Sequence, residues 1–595
     1  MILQSLVHHY ENLKEQGRLP SEGWSYVGAS YALYINDSGE VEQVACIKQT
    51  CEGKKKTQIP QKFVLPARVS RSNDINSSFL AENSAYLLGV ENGGKITGKS
   101  LKTFQFCKEF HESLLKDVNC PAAKAVLAFF EKWNPHTITN HPAFREINPK
   151  FFGDGNIVFR YNGQYVHDVP EIQKAWQWYY DHPIGMPEGL CLVTGKHGVL
   201  ALTHPVIKGV VGSAPSGAKL VSFNNEISYS DGHVGGWNAP ISRYAAFAYT
   251  EALNYMLADR EHSFVVGDIS VVCWAKDGNS DFQDSFLAAL RGESQSYSTA
   301  EVQDMAGKLC KAEYVSFDES KLDKDCEFYV LGLSGSKARV SVRFFYRNSF
   351  GHLLENVKKH KDRLLIDAPD FENPTKMSLW RLLRETKPRS KKKNDGEKKP
   401  TTEDYMIYND VLQSILRNEQ YPPSLYSSVL TRIGAEGAVT PGRAAILKAY
   451  FLASPHHDVP ESVLGEDLNP DCENVPYNLG RMFSVLETIQ WYYNSDTKDT
   501  IKNRFFIGAS TTPAITYPLL FDLSEYHLKR LPEKKQYWLR GLLSGIKKKI
   551  GTEYPVFLNV QQQAAFYLGY YQQTQQKFQK TDKNINKNEE ELQNE

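Results

Sequence analysis

The sequence predicts an α+β fold: a mixed α/β N-terminal and middle region with irregular loops, followed by a C-terminal α-helical bundle. Three observations predict it. Short runs rich in Val, Tyr, Phe and Leu, such as Tyr26–Ile35 and Arg339–Tyr346, punctuate the chain before residue 390. Residues 190–240 are rich in Gly, Ser and Asn, which break regular elements. Beyond residue 400, apolar residues recur at a 3–4 spacing in one segment after another.

The elements follow in order. Ile2, Leu3, Leu6, Val7, Tyr10 and Leu13 make one apolar face of a first helix. With His, Glu and Lys between them, this is an element of the fold and not a signal peptide. Tyr26–Ile35, the turn Asp37-Ser38-Gly39 and Val41–Ile47 form a hairpin. Residues 101–133 hold two helices, with Pro121 in the first turn of the second. Ile172, Ala175, Trp176 and Tyr179 mark a short helix ended by Pro183. Strands are expected at Leu190–Val193, Val206–Val211 and Val265–Trp274, with a buried helix over Asn238–Leu257. In the strand Arg339–Tyr346, alternation puts Val340, Val342, Phe344 and Tyr346 on one face. The other face carries Arg339, Ser341, Arg343, Phe345 and Arg347.

Residues 387–401 have almost no apolar side chain and form a basic linker between the region 1–386 and a bundle over 402–571. Thr440-Pro441 is an N-cap followed by Pro at the first helical position. Leu479, Met482, Leu486 and Ile489 mark one bundle helix. Ile515, Leu519, Leu523 and Tyr526 mark the next, and Leu539, Leu542, Ile546 and Ile550 another. Residues 572–595 are Gln, Lys, Asn and Glu and read as a disordered tail.

The 595 residues are 41% hydrophobic and 23% charged, enough for sizeable cores, and no run approaches a membrane span. Nine cysteines without a second close pair fit reduced thiols in the cytoplasm. Sixty-nine cations balance 69 acids, but not locally. Gly53–Asn73 holds Lys54, Lys55, Lys56, Lys62, Arg68 and Arg71 and no acid; Leu331–Phe350 holds Lys337, Arg339, Arg343 and Arg347 and none. Lys529–Lys549 holds eight cations against Glu533. Such segregation allows contact with a polyanion despite zero net charge.

Four motifs invite a chemical reading. Gly93-Gly94-Lys95-Ile96-Thr97-Gly98-Lys99-Ser100 has the spacing of a phosphate-binding loop and is the alternative reading, a nucleotide-binding enzyme. No magnesium-binding Asp on a clean strand accompanies it. His167-Asp168 and His456-His457-Asp458 have residue types found in metal phosphohydrolases, without a third and fourth ligand. Gly212-Ser213-Ala214-Pro215-Ser216-Gly217 lacks a base or acid beside its serines. It reads as a loop whose backbone can approach phosphate or a base edge.

Several blocks together resemble one family. They are Cys191-Leu-Val-Thr-Gly, His204-Pro-Val-Ile-Lys-Gly-Val, Ser216-Gly-Ala-Lys-Leu-Val-Ser-Phe-Asn224, Asn238-Ala-Pro-Ile-Ser and Ala252-Leu-Asn-Tyr255. Phe79-Leu80, Asn83 and Tyr86-Leu-Leu-Gly89 join them near the N-terminus. Val342-Arg-Phe-Phe-Tyr-Arg-Asn and Leu354-Glu-Asn356 follow in the middle. Tyr477-Asn-Leu-Gly-Arg481, Ala509-Ser and Thr512-Pro-Ala514 follow in the C-terminal part. The sequence is similar to the large subunit of the type I-C CRISPR surveillance complex, Cascade.

The resemblance implies a subunit that is not an enzyme and needs no cofactor or metal. Its implied partners are the crRNA-processing subunit, backbone and small subunits, crRNA, target double-stranded DNA with its displaced strand, and a helicase–nuclease. It implies reading of the protospacer-adjacent motif, help in opening the duplex, and a C-terminal part like a Cascade small subunit. In that family the part is also made separately from an internal start, here expected at Met482 or Met406, with Met482 preferred. Guide pairing carries most specificity, so few base readers are needed. Motif-reading candidates are Arg68, Ser70, Arg71, Ser72, Asn73 and Asn76, and Ser213, Ser216, Lys219, Ser222, Asn224 and Asn225. Ser72-Asn73-Asp74 stands where a Ser-Gly pair is expected, and Ala214-Pro215 where polar residues are. Backbone candidates are Lys54, Lys55, Lys56, Arg339, Arg343 and Arg347, and Lys534, Lys535, Arg540, Lys547, Lys548 and Lys549 of the bundle.

Overall fold

The computed structural model describes the chain except residues 52–56, 68–74, 146–150, 224–225, 259–262, 292–321, 389–401, 496, 498 and 593–595. The fold is mixed α and β, with small sheets and a helical C-terminal region. It divides into two units. The first is Met1–Ile207 with Ser216–Tyr255, and the second is Lys208–Pro215 with Met256–Glu595.

The first unit opens with α1 (Ile2–Glu15), whose Leu6, Val7, Tyr10 and Leu13 are buried. Its main sheet has the order β2-β1-β7-β6, from β1 (Trp24–Ile35), β2 (Val41–Cys46), β6 (Ala81–Glu82) and β7 (Asn156–Tyr161). β1 pairs along its first half with β5 (Gln61–Pro66) and along its second with β2, both antiparallel. Its pairing with β7 is parallel, and β8 (Gln164–Tyr165) closes a tight turn on β7. β3 (Gln49–Cys51) and β4 (Thr57–Ile59) form a separate two-stranded ladder. The β1–β2 turn forms because the Asn36 side chain accepts from the Ser38 and Glu40 N–H groups at 3.1 and 3.0 Å.

Helices α2 (Ser84–Leu87), α3 (Gly98–Leu115), α4 (Pro121–Lys132) and α5 (Pro170–Asp181) belong to this unit. Phe79, Phe104, Phe129, Phe130 and Trp176 join Leu33, Ile157 and Phe159 in its larger core. Each such side chain contributes about 2 kcal/mol by leaving water. β9 (Glu188–Leu190) and β10 (His197–Val199) are a short hairpin. The expected strand at Val206–Val211 is reduced to a single bridge of Ile207 with Ala218. The helix expected from Asn238 begins only at Arg243, as α6 (Arg243–Ala258), because residues up to Ser242 form a 3-10 turn and an extended segment through Pro240.

The second unit is built on the antiparallel sheet β11-β12-β13-β14: β11 (Ser263–Val266), β12 (Ile269–Ala275), β13 (Glu327–Ser336) and β14 (Arg339–Ser349). The single strand expected at Val265–Trp274 is thus two strands, turned at Gly267 with φ +64°. α7 (Ser280–Arg291) and α8 (Phe350–Leu364) supply Phe282, Phe286, Phe350 and Val357 to a core shared with Val271, Phe328 and Phe344.

That same core continues through α9 (Leu379–Leu383), α10 (Thr402–Arg417), α11 (Pro423–Glu436), α12 (Pro441–Ala453), α13 (Val475–Tyr493), α14 (Ile501–Thr511), α15 (Pro513–Leu528), α16 (Glu533–Ile550) and α17 (Val560–Leu592). The boundary expected at 387–401 therefore lies within one unit, since apolar side chains on both sides of it pack together.

Two further differences concern faces and ends. In α15 the expected face is turned outward: Ile515, Leu519 and Tyr526 are exposed, while Tyr517, Leu520 and Leu528 are buried. This helix is apolar nearly all round, so its period alone does not choose a face. The expected disordered tail from residue 572 begins too early. Gln572 and Gln573 are buried on α13, where the Tyr477 hydroxyl donates to Gln572 Oε1 at 2.6 Å and Arg481 Nε donates to Gln573 Oε1 at 3.2 Å. Their polar groups are satisfied by partners, which composition does not reveal.

Candidate nucleic-acid interface

Arg68, Ser70, Arg71, Ser72 and Asn73 lie outside the described residues, as do Lys54, Lys55, Lys56, Asn224 and Asn225. Asn76 is half-buried, and the chain just after it is firmly anchored. Ser78 N–H donates to Glu82 Oε1 at 2.7 Å. Leu80 has φ +63°, costly for a β-carbon-bearing residue, and its N–H donates to His111 Nε2 at 3.0 Å. His111 in turn donates from Nδ1 to the Cys107 carbonyl at 2.7 Å. Full burial holds its pKa down at about 4, so the ring stays neutral and can accept.

The second candidate region is divided between the units. In the first unit Ser216 is exposed and Lys219 and Ser222 are half-buried. Lys219 acts on buried His204, whose Nδ1 is hydrogen-bonded to the Tyr249 hydroxyl at 2.7 Å. Burial first and the Lys219 charge second lower the His204 pKa to about 4.

In the second unit, residues 211–214 lie against the tip of the β13–β14 hairpin. Gly335 N–H donates to the Val211 carbonyl at 2.8 Å, Ala214 N–H to the Lys337 carbonyl at 2.8 Å, and Lys337 N–H to the Gly212 carbonyl at 3.2 Å. Two glycines make this approach possible. A Cβ on Gly335 would fall 2.4 Å from the Ser213 nitrogen, and one on Gly212 would fall 2.4 Å from the Gly335 oxygen. The contact also holds Lys337 at φ +52°. Ser213 donates its hydroxyl to the Val210 carbonyl at 2.6 Å, so that hydroxyl shapes the turn and keeps only acceptor capacity.

The tip therefore gathers a predicted reading residue, Ser213, with the exposed cations Lys337 and Arg339. The cationic face expected along β14 does not continue below it. Leu333 pairs with Val342 and Gly332 with Phe344, leaving Arg343 as an extra residue in a bulge. The bulge reverses the alternation, so Val342 is exposed, Phe344 enters the core, and Phe345 stacks on Tyr329. Arg343 donates to Ser334 Oγ at 2.6 Å and faces Asp268 at 3.6 Å, while Arg347 pairs with Glu327. Arg339 has no ion pair among the described residues.

The bundle cations divide similarly. Arg540 makes a forked pair with Glu525, 2.8 Å on each arm. Lys535 lies over the Tyr492 ring at 4.1 Å and Lys547 over Phe521 at 5.2 Å. Lys549 bonds the Pro470 carbonyl and stands 3.9 Å from Asp471. Lys534 and Lys548 point into solvent without an ion pair among the described residues. The signal missed in the sequence is the pair Tyr537 and Trp538 set among these lysines, both exposed.

The phosphate-loop match has another use here. Thr97 caps α3, its Oγ1 accepting from Ser100 N–H at 3.1 Å, while Ser100 Oγ accepts from Thr97 N–H at 2.9 Å. Thr97 also donates to Glu91 Oε1 at 2.8 Å. Ser100 is buried in this capping box, and the Glu91 carboxylate stands beside the loop that a phosphate would have to enter. His167 is buried against Tyr165 and Phe63, and His457 packs on Phe451. Among the described residues no three His, Cys, Asp or Glu side chains converge as metal ligands, and no helix is long and apolar enough to cross a membrane.

The family model described as CRISPR-associated protein (Cas_Csd1) matches residues 6–578 of the chain. No curated protein matches it.

Proposed function

Because the chain belongs to the CRISPR-associated Csd1 family, we propose that it is the non-catalytic large subunit of a crRNA-guided type I-C Cascade complex. It reads the protospacer-adjacent motif in duplex DNA, assists opening, steadies the displaced strand and supports recruitment of the helicase–nuclease in the cytoplasm. Its partners are the crRNA-processing, backbone and small subunits together with crRNA and target DNA. The observation that carries this reading is the β13–β14 tip. There a Gly-Ser loop is fixed by backbone bonds beside the exposed cations Lys337 and Arg339, while the Asp268 and Glu327 carboxylates are paired with Arg343 and Arg347 of the same strand. Guide pairing leaves only a few base pairs for protein to read, and such a tip suits a short contact of that kind.

A small subunit made separately from Met482 would begin inside α13 and lack Tyr477 and Arg481, which bond α17. Mass measurement of the small subunit in the purified complex decides its start.

The test uses the co-expressed complex with crRNA and duplexes that match the guide but differ in the three flanking base pairs. Flank-dependent binding that disappears without this chain is the expected result. Binding indifferent to both the flank and the chain overturns the proposal. Two variants assign roles. Arg339→Ala is expected to weaken all duplexes about equally and to lower the salt slope by about 1. Gly335→Ala keeps every cation but pushes residues 212–214 off the hairpin, so flank preference is expected to fall while the salt slope stays.

A further inference from the structure

Helix α15 turns into water the face that its apolar spacing marks for a core. Ile515 is 69% exposed, and Leu519, one turn on, is more than half exposed. The corner between α14 and α15 also holds the segment that leads into α17. Ala514 N–H donates to the Pro555 carbonyl at 3.1 Å, and Leu558 N–H to the Thr511 carbonyl at 2.9 Å. These bonds bring Val556, 71% exposed, and Phe557, 70% exposed, to the start of α15. Ile507 stands at the same corner, beside Gly508, where a Cβ would fall 2.8 Å from Thr516 Oγ1. Val560 opens α17, and it and Ile507 are each more than half exposed.

Charge is missing from this patch. Phe505–Phe521 has no Asp, Glu, Lys, Arg or His, and neither has Tyr554–Gln576. A polyanion or a charged peptide therefore finds nothing to pair with there. At about 200 Å² for a fully exposed residue of this size, the six leave about 750 Å² in water. The largest apolar patch of an ordinary monomer is about 300–600 Å². A stable interface takes about 800 Å² from each partner. The patch is thus too large for a free surface and matches one half of an interface. Two copies meeting about a two-fold axis bury twice that area, more than the roughly 1,000 Å² that a specific contact needs. A two-fold contact requires only that a surface fit itself, and an uncharged patch sets no like charges against each other.

We propose that the free full-length chain pairs with a second copy of itself through this patch, in a two-fold contact with Ile515 and Phe557 at its centre. The pairing is a property of the chain alone and does not rest on the function proposed above. Being apolar, the contact is not loosened by salt.

The experiment is sedimentation equilibrium of the purified full-length chain over a range of micromolar concentrations. The expected mass is twice the 67.5 kDa of one chain, unchanged between low and high salt. Ile515→Asp with Phe557→Asp places each new charge at the contact twice, once from each copy, and is expected to weaken pairing at least about a hundredfold. Both side chains are on the surface, so the far-UV circular dichroism and urea midpoint of this variant should match the parent. Met406→Asp, an equally drastic change at an exposed apolar residue of α10, is expected to leave the pair intact. A monomeric parent overturns the proposal, whichever subunit the double variant then loses from the co-expressed complex. So does an undiminished pair in the double variant, or a mass that climbs past two copies as concentration rises. Loss of the pair in Met406→Asp also overturns it, since the contact would then lie elsewhere.

Discussion

Arg443→Ala is expected to destabilise the second unit by about 3–5 kcal/mol, the cost of leaving buried charge without its partner. Arg443 has no exposed surface. Its guanidinium donates to Glu436 Oε2 at 2.7 Å, to the Ala438 carbonyl at 3.0 Å and to the Glu385 carbonyl at 3.2 Å. The Glu385 carboxylate lies 3.4 Å from Nε and also accepts from the Thr440 hydroxyl at 2.7 Å. Removing the guanidinium strands two carboxylates that are each less than a fifth exposed. Arg443→Lys keeps the charge but not the fork and should fall between parent and alanine variant. Urea unfolding followed by far-UV circular dichroism measures it. A loss below about 1 kcal/mol would mean that solvent reaches the site freely, as at a surface pair.

The same cluster shows how the chain on both sides of the basic segment comes to lie in one unit. Glu385 stands just before the basic segment 389–401 and Arg443 well after it. Lys387 pairs with Asp404 directly across that segment. Charge and lack of apolar residues were the reason for expecting a linker there. They carried no information about whether its two ends meet. Local pattern did better where one residue type has one local job. Asp37-Ser38-Gly39, Pro121 and Thr440-Pro441 lie where turn, first turn and cap were expected, because each acts through its own backbone neighbours. The bulge at Arg343 was illegible because alternation assumes an unbroken ladder, and the extra residue shows only against the partner strand. The hairpin tip was half legible. Ser213 and Arg339 were singled out separately, but their approach depends on Gly212 and Gly335 meeting, which sequence separation hides.

Acid should weaken the fold between pH 6.5 and about pH 4, through histidines buried in neutral form. Burial holds His111 and His204 at about 4, and His360 well below its usual value. His204 also feels Lys219, and His360 feels Lys361 and Arg363. In this window the unfolded chain binds protons that the folded chain refuses, so stability falls as pH falls. The contribution is complete above the unfolded pKa of about 6.5, and at pH 5 His111 and His204 each lose about 2 kcal/mol. For His111 the loss has a local address. Protonation removes the Nε2 lone pair that accepts from Leu80 N–H, and Leu80 holds a left-handed conformation four residues after Asn76. Hydrogen exchange at the Leu80 amide should therefore accelerate on acidification more than intrinsic chemistry predicts. Urea unfolding at pH 7 and pH 5 supplies the global comparison. His111→Gln, which cannot titrate, should remove about 2 kcal/mol of the difference. An equal pH dependence in parent and variant would mean that His111 is protonated in the folded protein, against its burial among Phe79, Phe110 and Phe130.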